Sequence, residues 1–140
     1  MNRLLFPALI AGLCFFCALP AAALRSIGPI TKQDAAELGI TVRATASGPE
    51  AAWVTLEFTP RGKLKDYSHV ELEIEEGGKP LIAYAVLGEK RGANGSVSLT
   101  FMVSRAFLPK VTLSIVTGFA SNYAGNQLAL RDFVNVAEIR

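Results

Sequence analysis

The chain has 140 residues, with 14 basic and 12 acidic side chains, one histidine and two cysteines. Its formal net charge of +2 is spread among interleaved charges, which excludes the concentrated cationic footprint of a nucleic-acid binder. The length suits one domain with a real core and leaves no room for a second of ordinary size.

Arg3 makes a basic start, residues 4–19 run almost wholly apolar, and Pro20 breaks the run. Ala21, Ala22 and Ala23 then place small residues where a signal peptidase reads, so residues 1–23 are expected to be a cleaved signal peptide. Leu13 and Phe16 stand before Cys14 and Cys17 where a lipoprotein signal needs a small residue, and Pro7 and the short run speak against a retained anchor. No other stretch approaches the ~18 apolar residues of a membrane span. The expected location is the bacterial periplasm or the outside. The remaining chain of about 117 residues holds no cysteine and His69 as its one imidazole. Disulfides, thiolate chemistry and most transition-metal sites are thereby excluded, and no cofactor is expected.

Residues 24–39 read as an extended leader, broken at Gly28-Pro29, and a brief helix capped by Thr31 and ended by Gly39. From Ile40 the hydrophobic period becomes two, and residues 40–140 read as the domain proper. Ile40, Val42 and Ala44 give a first strand; Val54, Leu56 and Phe58 share one face of a second, with Trp53, Thr55 and Glu57 on the other. The polar segment 59–68 suits a crossing between two sheets. Val70, Leu72 and Ile74 alternate with Glu71, Glu73 and Glu75 in a third strand, and residues 81–87 are apolar on both faces. Residues 88–96 are expected as a charged loop, in which Asn94-Gly95-Ser96 is a turn signal before it is a glycosylation acceptor. Val97, Leu99, Phe101 and Val103 resume the alternation, and residues 104–109 form a helical corner that puts Phe107 and Leu108 beneath the sheets. Val111, Leu113 and Ile115 make a further strand, residues 118–126 a loop, and residues 127–134 the closing strand.

About seven short strands with regular turn signals predict an all-β, two-layer antiparallel sandwich. The strand 97–103, the corner Ala106-Phe107-Leu108 and the strand 111–116 resemble those of an immunoglobulin-like or fibronectin-type-III-like sandwich. The cysteine pair of antibody domains is missing, so burial alone must hold the core. A C2-like or jelly-roll sandwich is the alternative.

Asp66, Ser68 and His69 stand together, but alternate strand residues point to opposite faces, and neighbours are not expected to converge as a triad does. No Gly-x-Ser-x-Gly elbow is present. Calcium would take oxygen ligands, yet Asp34, Asp66 and Asp132 offer no Asp-x-Asp spacing, so no metal site is expected. Glu71, Glu73 and Glu75 read as a solvated strand face, and Arg61, Lys63 and Lys65 as a charged loop. Trp53 shares its face with polar neighbours and is the first candidate binding residue; Tyr67, Phe119 and Tyr123, in or beside loops, could complete a rim. With no catalytic set, the chain is expected to be a non-enzymatic binding module of the cell envelope. Its expected partner is another envelope or secreted protein. Carbohydrate or small-ligand binding is the alternative, and a hydrolase built on His69 the more distant one.

Overall fold

A computed structural model describes residues 25–77, 79–82, 88–119 and 122–139. The expected signal peptide with both cysteines, and residues 83–87 of the apolar run, lie outside the described residues. In chain order the elements are β1 (Arg25–Pro29), α1 (Lys32–Leu38), β2 (Thr41–Ser47), β3 (Ala51–Phe58), β4 (Tyr67–Glu76), β5 (Lys79–Ile82), β6 (Gly88–Arg91), β7 (Val97–Ser104), β8 (Val111–Thr117) and β9 (Ala124–Ala129). They form two sheets, one ordered β2-β3-β7-β6 and the other β1-β9-β8-β4-β5.

The alternating residues read from the sequence become the two inner faces. Val54, Leu56, Phe58, Leu99 and Phe101 of the four-stranded sheet meet Val70, Leu72, Leu113, Ile115 and Leu128 of the five-stranded one in a single core. Each such side chain contributes roughly 1.5–3 kcal/mol by leaving water, and no cysteine stands among the described residues to cross-link the core. The 59–68 segment crosses from β3 to β4, with Leu64 fully buried and the rings of Phe58 and Tyr67 packed edge to face at 5.1 Å. Arg61 in this crossing donates to the carbonyls of Glu37 and Leu38 at 2.8 and 3.1 Å, satisfying the end of α1. The other end of α1 carries the expected cap: the Thr31 hydroxyl accepts from the Asp34 amide, and the Asp34 carboxylate accepts from the Thr31 amide.

Five expectations need correction. The leader is part of the sandwich, because β1 pairs with β9, and it does so in parallel, so the architecture is not purely antiparallel. The described residues form nine strands rather than about seven. Residues 88–91 are not loop but the edge strand β6, paired with β7 from Gly88 opposite Thr100 to Arg91 opposite Val97. The last strand is Ala124–Ala129 rather than 127–134, since the core accepts Asn126 opposite Ile115, where its side-chain amide donates to the Ile115 carbonyl at 3.2 Å. In the helical corner Leu108 is buried as expected, whereas Phe107 is exposed, with Lys110 Nζ 5.8 Å from its ring centre.

Candidate functional site

The candidate residues fall on opposite sides of the sandwich. Trp53 projects from the outer face of β3, directly between Thr45 of β2 and Met102 of β7. Its indole is 44% exposed and the Met102 thioether side chain 55% exposed, so a flat aromatic and a pliable apolar chain lie side by side in solvent. Thr55 and Thr100 continue the face with their hydroxyl oxygens 3.4 Å apart. Met102 was legible as an apolar residue at an outward position, between the inward Phe101 and Val103, and completes a patch that Trp53 alone only suggested.

Tyr67, Phe119 and Tyr123 belong to the other sheet. Phe119 is 72% exposed in the β8–β9 loop, and Tyr123 at the end of that loop packs against His69, ring centres 6.2 Å apart. The four expected binding residues therefore do not share one rim.

His69 occupies a β-bulge. The register passes from Tyr67 opposite Thr117 to His69 opposite Val116, leaving Ser68 as the extra residue. A bulge turns neighbouring side chains toward one side, which is why the expected divergence fails here. Ser68 Oγ lies 3.1 Å from His69 Nδ1, and Glu71 Oε1 lies 3.2 Å from Nε2. Hydroxyl, imidazole and carboxylate are thus in a row, but the His69 and Glu71 side chains are 46% and 42% exposed. The row offers no water-excluded cleft in which an oxyanion could be stabilised. Two surface depressions, of about 320 Å³ beside Thr41, Glu57 and Ser98 and about 670 Å³ beside Lys32, Arg131 and Phe133, involve neither His69 nor Trp53. Among the described residues no three His, Cys, Asp or Glu side chains cluster to hold a metal ion.

Tyr67 is built into the sandwich rather than offered to a partner. It is only 7% exposed, and its hydroxyl donates to Glu89 Oε2 at 2.8 Å. Arg91 Nε donates to the other oxygen of Glu89 at 2.6 Å, with the guanidinium 5.4 Å from the Tyr67 ring centre. This joins β4 of one sheet to β6 of the other. Burial, then the hydrogen bond and charge of Glu89, push the Tyr67 hydroxyl well above its ordinary value. Burial alone would raise Glu89, but hydrogen bonds from Arg91 and Tyr67 outweigh it and hold the carboxyl below its ordinary range.

A pH dependence follows from these two shifts. A tyrosine raised in the folded state stabilises fully below its unfolded value near 10, and that stability is lost as pH rises beyond it. Glu89 works in the opposite direction: its contribution is present above the unfolded value near 4.5 and is lost as pH falls below it. Tyr67→Phe is expected to cost about 1.5–3 kcal/mol at neutral pH, the usual range for a hydrogen bond to a charged group. It should also flatten the decline in stability above pH 10. Urea titrations of both proteins at pH 7 and pH 10.5 measure this; an equal alkaline decline in the variant would show that Tyr67 is not the group responsible.

No protein-family model matches the chain, and no curated protein is detectably similar in sequence.

Proposed function

We propose that this chain is an exported, non-enzymatic binding module with an immunoglobulin-like fold, which captures another envelope or secreted protein on the outer face of its four-stranded sheet. The observation that carries the reading is the exposed pair Trp53 and Met102. A large aromatic beside a thioether is the chemistry that anchors protein interfaces, because both supply wide apolar contact and the methionine adapts its shape. The immunoglobulin-like class is supported by strand order: β2-β3-β7-β6 follows the A-B-E-D order of one immunoglobulin sheet and β9-β8-β4 the G-F-C order of the other. Export is supported by the apolar run and alanine triplet of residues 1–23. Among the described residues no helix is long and apolar enough to cross a membrane.

Capture from envelope extract by the exported protein tests this reading. A Trp53→Ala, Met102→Ala double variant is expected to lose the partner, whereas a Phe119→Ala, Tyr123→Ala variant keeps it. Loss in the second variant alone would move the contact to the β8–β9 loop. Absence of any protein partner would overturn the proposal and direct attention to glycans or small ligands.

A further inference from the structure

Strand edges expose unpaired amides and carbonyls, and proteins usually guard them with proline, short length, irregular register or charges turned inward. Among the described residues the two sheets have four edge strands, and three of them carry such guards. β1 contains Gly28-Pro29 and slips register between Ser26 and Gly28. β5 carries Pro80 among its described residues. In β6, Glu89 and Arg91 stand opposite the inward-facing Leu99 and Val97, so the row that would extend the core carries charge instead.

β2 has none of these devices. Its seven residues contain no proline or glycine and pair with β3 without interruption, from Thr41 opposite Glu57 to Ser47 opposite Ala51. Its inner row, Val42, Ala44 and Ala46, packs on the core yet stays only partly buried, because no described strand lies beyond it. Its outer row holds one charge, Arg43.

We propose that the β2 edge binds a second copy of this chain, antiparallel and about a two-fold axis through Ala44. The composition of the strand selects this occupant and register. Centring on Ala44 pairs all seven residues: Thr41 with Ser47 of the second copy, Val42 with Ala46, Arg43 with Thr45, and Ala44 with itself. The single charge of each copy then faces a hydroxyl. Shifting the axis to Arg43 shortens the pairing to five residues and sets two guanidinium groups directly opposite each other, which is unfavourable. The Ala44 register also brings the two half-exposed apolar rows together and joins two four-stranded sheets into one of eight, closing both free edges at once. The symmetric patch has the self-complementarity that a two-fold interface requires. The dimer leaves Trp53 and Met102 on the outer surface, so it stands independently of the binding reading above.

Sedimentation velocity of the exported protein over a wide concentration range tests the proposal, with a charge series at Arg43 and Thr45. The wild type should dimerise reversibly. Thr45→Lys places two lysines opposite two arginines and should weaken the dimer about tenfold, while Thr45→Glu should tighten it several-fold. The double change Arg43→Glu, Thr45→Lys restores opposite charges and should bind at least as tightly as the wild type, approaching Thr45→Glu. Both positions are exposed, and thermal unfolding of each variant verifies that the fold is intact. A monomer at every concentration would overturn the proposal and leave the edge to a foreign strand. So would a dimer that ignores the series, which would assign self-association to another surface. Failure of the double change to restore a weakened dimer would overturn the Ala44 register. None of these results depends on capture through Trp53, so the two proposals fail separately.

Discussion

Leu113→Ala is expected to lower the unfolding free energy by about 3–5 kcal/mol. Leu113 is fully buried at the middle of β8, with Leu72 of β4 and Leu128 of β9 directly beside it. Strands flank it on both sides and the opposite sheet lies over it, so little can move in to refill the space, and the cavity cost adds to the lost transfer energy. Domains of this kind have only about 5–15 kcal/mol in total, and the midpoint of thermal unfolding should fall by roughly 10–20 °C. Met102→Ala, a truncation of similar size on the exposed face, should stay within about 0.5 kcal/mol. Urea unfolding of the two variants beside the wild type decides the matter. A Leu113→Ala loss below about 1 kcal/mol would mean that the two sheets do not close over β8 as described.

The second large effect is expected at Gly118, which begins the β8–β9 loop. Its φ is +96°, its amide donates to the Asp66 carbonyl at 2.8 Å, and a Cβ placed there would run into the backbone carbonyl of Asn122. Gly118→Ala therefore combines a left-handed backbone with a collision against main chain, and should cost about 2–4 kcal/mol. Gly48→Ala separates the two causes. Gly48 also has positive φ, +74°, but no atom lies within 4 Å of the position its Cβ would take. Strain alone should then cost about 1 kcal/mol. Equal losses at the two positions would show that the close approach of Asn122 contributes nothing. Because the same loop carries Phe119 and ends at Tyr123 beside His69, the Gly118 variant should also change the surroundings of His69, visible in its imidazole resonances.

The strands that alternate apolar and polar residues were legible because their register is set by burial: Val54-Leu56-Phe58, Val70-Leu72 and Val97-Leu99-Phe101 all turn inward. Three features escaped because they break that rule for local reasons. β6 lies at the side of the sandwich, where an inward position is half open, and Glu89 and Arg91 can sit there once Tyr67 supplies a partner; without apolar alternation the segment reads as loop. Asn126 is a polar residue in the core, with its side-chain nitrogen on the Ile115 carbonyl and its Oδ1 unpartnered, and the closing strand starts three residues earlier than the apolar pattern implies. The bulge at Ser68 is invisible to a period-two reading, since an extra residue reverses the parity that such a reading assumes. Of the candidate surface, Trp53 was found from its polar neighbours. Its contact with Met102 depends on a strand pairing between residues about fifty positions apart, which periodicity within one strand cannot supply.

The parallel pairing of β1 with β9 has a consequence for the order of assembly. Arg25 lies opposite Ala124, so the first described strand finds its partner about a hundred residues further along the chain. The hairpin of β2 and β3 closes over a few residues and can form early, while β1 must wait for a contact spanning about a hundred. Docking of β1 is therefore expected among the later steps of folding, and a chain cut before Ala124 is expected to leave β1 without its parallel partner.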